Sequence, residues 1–424
     1  MSRPAGKERL LFIAPIAPSD HGNGLAMRCG FLLDAYARRF AIDLALIPVA
    51  SSSDNLNDFV SARVRRAQVF RLPGPDSHFG LVARLADPAV RLQAFESYGR
   101  PSLTSSLTDD LRGAIESWCG PERYRVVHVS RLYLASLATH WTGSGDRGQR
   151  LILDCDEDDV SAFRRIARMH DRSGNAHAAA WARAEAAAFE RLAPKALRPF
   201  DLVLAAAPGE AQSLSARAAN RPVVTIPNTI AASPARRSNR PRRRARTILF
   251  VGNLGYAPNV DAIWWFATRV WPRLCRHLPF SIRLLIVGAN PPATFARLDS
   301  RCDMVVTGRV DDVGPFYDAA DLAIVPLRAG GGTRIKLLEA AARGVPIVST
   351  RFGAMGTSLR AGRDMLVADD AAGLARACAA LLTNERAGQA IAARARDRIR
   401  LDYRAETWAA RLMDLVCGRQ SMTT

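Results

Sequence analysis

The sequence has little of the chemistry that stabilises secreted scaffolds, spans bilayers or stacks on bases. Its seven cysteines (Cys29, Cys119, Cys155, Cys275, Cys302, Cys378, Cys417) are scattered, odd in number and never spaced C-x-x-C. They supply neither a disulfide framework nor a zinc site. The first apolar stretch, Leu10-Leu11-Phe12-Ile13-Ala14, is too short for the core of a signal peptide, and nowhere do about 18 uninterrupted apolar residues occur. A reducing cytoplasm is the expected compartment. Aromatic residues make up 7% and do not interleave with basic ones, which argues against nucleic acid bound by stacking. Acids are also scarce: 40 Asp and Glu face 59 Lys and Arg, leaving a net charge of +19. Such a field favours anionic partners, whether nucleic acid, a membrane face or phosphorylated small molecules. A compositional bias toward arginine, which greatly outnumbers lysine, accounts for the excess equally well.

What is present is a globular chain of 424 residues, 48% hydrophobic and 23% charged, longer than one core usually organises. Short apolar runs alternate with helical patterns in the manner of βαβ units. Strands are expected at Leu10 to Ala14, Ile42 to Pro48, Gln68 to Leu72, Arg125 to Val129, Leu151 to Asp154, Asp201 to Ala205 and Val223 to Ile226, with an amphipathic helix at Leu25 to Arg39. The helical stretch from Val160 to Leu197 is expected to break near Ser173-Gly174-Asn175. A polar Pro/Arg segment follows Pro227-Asn228, and the alternation restarts at Thr247 to Val251, Arg283 to Val287, Asp303 to Val306, Leu322 to Pro326 and Val345 to Thr350. Helices are expected from Ala371 to about Arg400 and from Tyr403 to Val416. The expected division is an N-terminal Rossmann-like domain at 1–227, a linker at 228–245, a second Rossmann-like domain at 246–400, and a final helix at 401–424 returning to the first domain. Open parallel sheets bind ligands beyond the carboxyl ends of their strands, so a cleft between two such domains is the expected site.

The segment richest in chemistry is Gly330-Gly331-Gly332-Thr333-Arg334-Ile335-Lys336-Leu337-Leu338-Glu339-Ala340. It leaves a strand, turns on glycines and enters a helix with apolar Ile335, Leu338 and Ala342. Glycines let amides approach an anion, and amides at a helix N-terminus suit a diphosphate. Thr333 is placed to cap the helix; Arg334 offers a forked donor and Lys336 a point charge. The plainer alternative is a tight loop followed by a surface ion pair of Lys336 with Glu339. Arg343-Gly344-Val345-Pro346 then supplies a helix stop and the next buried strand.

The whole unit resembles the group 1 retaining glycosyltransferases of the GT-B fold (glycosyltransferase family 4-like). The resemblance extends to Phe250-Val251-Gly252-Asn253-Leu254 with Tyr256, Pro258-Asn259 and Asp261, to Thr307-Gly308-Arg309-Val310 before Tyr317 and Ala320-Asp321, and to Ile226-Pro227-Asn228. It implies an α/β protein of GT-B type, two Rossmann-like parallel-sheet domains facing across a cleft. Laid onto this chain, it implies that Glu339 binds the donor ribose, that the backbone at Arg309 and Val310 meets the base, and that Gly331, Gly332, Thr333, Arg334 and Ile335 hold the diphosphate while Arg334 and Lys336 neutralise the departing nucleotide.

Two departures from the family stand out. Many relatives carry a second Glu where this chain has Gly331, and many carry Arg where it has Asn253, with a Lys shortly after. Arg334 and Lys336 are the candidates to compensate. In the first half, Gly22 and Gly24 of His21-Gly22-Asn23-Gly24 follow the first strand; they form a donor-side amide turn or a plain one. His128 sits where the family often places a His near the transferred sugar, and a structural role is equally open. Arg131 is read as binding phosphate or stabilising Asp154. Asp154 and Asp156, in the run Asp154-Cys155-Asp156-Glu157-Asp158-Asp159, are read on the acceptor side, with Asp158 or Asp159 as a helix cap; no metal is expected there.

The resulting expectation is a retaining, metal-independent glycosyltransferase of bacterial type. It uses a nucleoside-diphosphate sugar as substrate and needs no cofactor. Its expected partners are a glycan or lipid-linked acceptor of surface polysaccharide synthesis and the anionic inner face of the membrane, with no nucleic acid. The alternatives are a nucleotide-sugar epimerase on the same scaffold, or a non-catalytic nucleotide- or nucleic-acid-binding protein.

Overall fold

The computed structural model describes residues 7–49, 56–72, 87–141, 148–230, 245–299, 303–332 and 334–418. The chain forms two compact units, one of Met1–Asn228 with Glu406–Thr424 and the other of Thr229–Ala405. Of the Pro/Arg linker, residues 231–244 lie outside the described residues.

The first unit holds strands β1 (Arg9–Ala14), β2 (Ala41–Leu46), β3 (Arg66–Val69), β4 (Val126–Ser130), β5 (Arg150–Asp156), β6 (Leu202–Ala205) and β7 (Val223–Thr225). They lie in the order β3-β2-β1-β4-β5-β6-β7, and every pairing is parallel. A parallel sheet carries its crossover helices on both faces and is buried on both, which is why its strands read as unbroken apolar runs. Leu11, Ile13, Val127 and Val129 pack one face, while Leu10, Phe12 and Ile42 pack the other. Helix α1 (Gly24–Ala37) covers the second face; its N-cap Asn23 accepts the Leu25 amide at 2.8 Å. The long helical stretch does break at Ser173-Gly174-Asn175, giving α2 (Asp159–Arg172) and α3 (Ala176–Leu197), the latter capped by Asn175.

The second unit holds β8 (Arg246–Val251), β9 (Ile282–Val287), β10 (Met304–Val306), β11 (Leu322–Val325), β12 (Ile347–Ser349) and β13 (Leu366–Val367) in the order β10-β9-β8-β11-β12-β13, again all parallel. The two-residue β13 has no counterpart among the strands expected from the sequence, because two residues carry no periodicity to read. Two helices matter most here: α4 (Ala257–Trp265), which follows β8, and α5 (Ile335–Ala342), which follows β11. The helical tail divides at Asn384, whose side chain caps the helix that begins at Glu385. In both sheets the strand order reverses once, between β1 and β4 and between β8 and β11, and at such a reversal the flanking crossovers diverge and leave a crevice at the carboxyl edge. No helix among the described residues is long and apolar enough to cross a membrane.

The last helix, α6 (Ala405–Cys417), returns to the first unit. Ala409, Leu412 and Val416 are buried among Leu10, Phe12 and Ile42, and Arg150 donates to the Leu415 carbonyl at 2.6 Å, satisfying an end of α6. Leu412 is fully buried, so Leu412→Ala is expected to lower the stability of this unit by about 2–5 kcal/mol in chemical denaturation. A loss under about 1 kcal/mol would mean that α6 is not part of that core.

Candidate functional site

The carboxyl edge of the second sheet is built on glycines. Gly252 follows β8, Gly288 follows β9, Gly308 lies two residues after β10, and Gly330 lies five after β11. A Cβ on Gly288 would stand 1.8 Å from the Gly252 carbonyl oxygen, so only glycine lets these two strand ends close together. Gly330 adopts φ +114°, a conformation strained for any other residue, and Tyr256 lies against it. The loop after β11 is further fixed by Arg328, whose guanidinium pairs with Asp261 of α4 through two bonds of 2.9 and 2.5 Å.

From this loop the chain enters α5. The N-cap position is Arg334, which gives no side-chain bond to the first-turn amides; Thr333, the expected cap, lies outside the described residues. Arg334 is turned back. Its Nη1 donates to the carbonyls of Gly331 and Gly332, the latter at 2.7 Å, and the guanidinium lies over the Phe352 ring at 4.9 Å. The arginine expected to face a phosphate instead braces the turn, because the bent backbone presents carbonyls within its reach. Gly331, Gly332 and Ile335 line this turn half-buried. At the other end of α5, Gly344 takes φ +68° and donates to the Ala341 carbonyl at 2.9 Å, stopping the helix.

Lys336 and Glu339 do not pair with each other at the surface. Each is half-buried and has its own partner. The Lys336 Nζ donates to Asn259 Oδ1 at 2.7 Å and stands 4.2 Å from the centre of the Phe250 ring. Burial, with Arg334 adding repulsion, pushes this ammonium down to about 7. Glu339 accepts from the Tyr317 hydroxyl at 2.9 Å, and burial pushes its carboxyl up to about 7 against the pull of Tyr317, Arg343 and Lys336. The fully buried Tyr317 thus orients one carboxylate oxygen, Oε2. Asn253 is exposed, its carbonyl taken by Asn259 Nδ2 at 2.7 Å and its Oδ1 by the Gly255 amide at 3.0 Å. Arg309 is exposed and Val310 half-buried on the adjoining loop after β10.

In the first unit the carboxyl edge is built on charge. Arg28 of α1 is wholly buried and grips Asp154 with Nε and Nη2 at 2.7 and 2.5 Å; its Nη1 donates to the Ile226 carbonyl and to Asn228 Oδ1, both at 2.9 Å. Burial works against its charge, but Asp154 and Asp156 outweigh it and hold Arg28 above its ordinary range. Arg131 was expected to bind phosphate or stabilise Asp154; its backbone amide meets the Asp154 carbonyl at 2.6 Å, while its side chain pairs with Asp159 at 2.6 Å, Glu157 at 3.0 Å and Asp156 at 3.5 Å. Burial lifts Asp156 to about 6 and Asp159 to about 7. Asp158 does occupy the N-cap of α2, but its carboxylate serves Ser161, Ser213 and Arg217 instead of the helix amides. Both Arg131 (φ +79°) and Asp156 (φ +61°) hold backbone conformations costly for non-glycine residues.

His128 points into the core of this unit. It is fully buried, its Nδ1 lies 2.9 Å from the Tyr36 hydroxyl, its ring meets Phe12 edge-on at 4.8 Å, and burial holds it down to about 4. A neutral imidazole so enclosed packs the sheet and does not present itself to a sugar. Gly22 is exposed, and Gly24 opens α1 beside the Asn23 cap. The side chains that sequence reading missed are Arg28, Asn259 as the partner of Lys336, and Tyr317 as the partner of Glu339. Arg28 alone left a signal of its own, a cation on the apolar stripe of α1 between Leu25 and Leu32.

With this geometry described, comparison with known proteins places the second unit. A family model described as "Glycosyl transferases group 1" matches residues 245–384, from the start of β8 to past the helix that packs behind β12. Among curated proteins, an uncharacterized 44.6 kDa protein in the cps region of Klebsiella pneumoniae is 28% identical over 131 residues, a stretch that is 29% of this chain and 34% of that protein. Among solved structures, sucrose-phosphate synthase from Thermosynechococcus elongatus aligns over 96% of this chain and 98% of its own at 14% identity and a TM-score of 0.65. Anabaena HepE in complex with UDP and glucose aligns over 97% of this chain and 100% of its own at 13% identity and a TM-score of 0.60. The fold is that of the GT-B glycosyltransferases, two Rossmann-like parallel-sheet units.

The buried pair in the first unit gives a direct expectation. Asp154→Ala removes the carboxylate that neutralises Arg28 and is expected to cost about 3–5 kcal/mol of folding stability in urea titration. A loss within about 1 kcal/mol would show that Arg28 keeps its charge without Asp154.

Proposed function

We propose that this protein transfers a sugar from a nucleoside-diphosphate donor to a glycan or lipid-linked acceptor, with retention at the anomeric carbon and without a metal ion, in the synthesis of a surface polysaccharide. The observation that carries the reading is the α5 turn. A glycine-bounded loop, a helix N-terminus without a side-chain cap, an ammonium and a carboxylate follow one another within ten residues at the point where the strand order reverses. The family match over the same stretch supports it, and so does the cps region in the name of the Klebsiella relative.

In this reading the diphosphate lies against the amides of Gly331, Gly332 and Ile335, with Lys336 beside it. Glu339, held by Tyr317, accepts from the ribose hydroxyls, and the loop at Arg309 and Val310 meets the base. Charge builds on the nucleotide as the glycosidic bond breaks, and the amides and Lys336 stabilise it. Gly331 stands where many relatives have Glu, so departure of the diphosphate, not attack by a protein carboxylate, drives the step. Arg334 contributes by fixing the turn. On the acceptor side, Asp156 and Arg131 at the ends of β5 and β4 are the polar groups nearest a hydroxyl, while Asp154, expected there too, is wholly buried with both oxygens taken by Arg28. The protein works in the cytoplasm, against the anionic inner face of the membrane.

A screen for hydrolysis of nucleotide sugars by the full chain is the first experiment; a chain that hydrolyses none of them and binds no nucleoside diphosphate overturns the proposal. Glu339→Ala is expected to weaken donor affinity by about 10- to 100-fold in calorimetry, the worth of one or two hydrogen bonds to a charged group. Unchanged affinity would remove Glu339 from the donor site. Lys336→Ala is expected to lower kcat on the order of 100-fold with a smaller effect on KM, as for the loss of one preorganised donor. The anomeric configuration of the first-formed product, read by NMR, tests retention, and an inverted product refutes it.

A further inference from the structure

We infer that Asn259 is the positioning residue of Lys336: it clamps the ammonium onto the end of β8, so that the cation of the donor site is supplied by α5 but aimed by α4. The inference rests on the donor-site reading above and assigns a role to a residue outside it.

The clamp has three sides. Asn259 Oδ1 accepts from Lys336 Nζ at 2.7 Å, while its Nδ2 donates to the Asn253 carbonyl at 2.7 Å. These two bonds fix the amide orientation, since a flipped amide would set its NH2 against the ammonium and its oxygen against a carbonyl. Asn259 is itself buried in the first turn of α4, where its backbone amide donates to the Tyr256 carbonyl at 2.9 Å. The second side is the Phe250 ring at 4.2 Å, whose face attracts a cation. The third is the bare backbone of Gly252, where a Cβ would stand 2.7 Å from Lys336 Nζ and 3.0 Å from Asn259 Nδ2.

The charged groups facing Lys336 are Arg334, one residue beyond the turn, and Glu339 a helical turn on; Asn259 and Phe250 meet it as neutral partners from α4 and β8. A lysine stem has four rotatable bonds, and without such a clamp its ammonium samples a wide volume. The clamp also explains how the chain functions with Asn253 where many relatives carry Arg. Lys336 reaches the end of β8 from α5, and the Asn253 backbone carbonyl holds the clamp in place.

The chain has only three lysines, Lys7, Lys195 and Lys336, and the first two are exposed. Protein labelled with 13C-lysine therefore gives three side-chain signals, of which Lys336 is the one whose ammonium burial pushes down, to about 7. Asn259→Asp sets a carboxylate against the ammonium; it is expected to raise the Lys336 midpoint by more than one pH unit and to move the alkaline fall of kcat upward by a similar amount. Gly252→Ala displaces the ammonium and is expected to raise the Lys336 midpoint while lowering kcat at least tenfold. If the Asp variant leaves the midpoint and the kcat profile where they were, Asn259 does not hold Lys336 and the inference falls. Titration of wild-type protein with UDP, GDP, ADP and dTDP in turn separates this from failure of the donor-site reading: a Lys336 signal that moves with any of them keeps that reading whatever the variants do, and one that moves with none removes it and the inference together.

Discussion

Parallel strand pairing is the constraint from which the chemistry of this protein follows. Every strand pair in both sheets is parallel, so each strand must be reached by a crossover from the far end, and all carboxyl ends in a sheet share one edge. Residues far apart in the chain meet at that edge because they occupy the same place in successive βα units. Gly252, Gly288, Gly308 and Gly330 all lie just past strand ends of the second sheet. Arg131 and Asp156 are the equivalent positions in the first. The crevice opens where the strand order reverses, and in the second unit that is between β8, which leads to Asn259, and β11, which leads to Lys336 and Glu339.

The two edges use this shared geometry in opposite ways. In the second unit, side chains are withdrawn so that backbone can approach backbone, and among the polar groups at the edge a lysine and a glutamate are each shifted by burial toward neutrality. In the first, acids and arginines are packed into a network that fixes α1, β4, β5 and α2 to one another. A network of this kind is rigid because each charge is unaffordable without its neighbours. It also takes several arginines out of the outward field. Arg28, Arg131, Arg65, Arg66 and Arg217 are bound to carboxylates inside the unit and lend little to a field felt by a distant partner.

The sheets were legible in the sequence because burial on both faces erases polar alternation, and runs such as Leu10 to Ala14 or Leu322 to Pro326 can hardly be anything but strands of a parallel sheet. Breaks such as Ser173-Gly174-Asn175 were legible because they carry their own turn and cap chemistry. The glycine turn and α5 could be located for the same reason, as a local pattern with a local cause. Side-chain partnerships could not. Arg28 finds Asp154 across 126 residues and Lys336 finds Asn259 across 77, and nothing in either neighbourhood names the other. Arg334 shows the converse: it was read as a donor to phosphate oxygens, and which acceptors its Nη1 reaches here depends on carbonyls that the bend of the turn presents.

Placing the cation on α5 has a mechanical consequence. Lys336 and Glu339 are three residues apart on one helix, so they lie on the same face and move as one body. That helix is held along its length: Leu337, Leu338, Ala340 and Ala341 are fully buried, Gly344 closes its far end, and Arg334 ties its near end to the turn. Any ligand that touches both residues therefore senses a single rigid element, and its position is set by the packing of α5 against β11 and β12. The one adjustable part is the lysine stem, and it is the part that Asn259 and Phe250 restrain from another helix and another strand. A charge supplied by a flexible loop would have to be ordered anew each time a ligand bound; one carried on a packed helix and pinned at its tip is ordered when the protein folds, and the stability of the core bears that cost in advance.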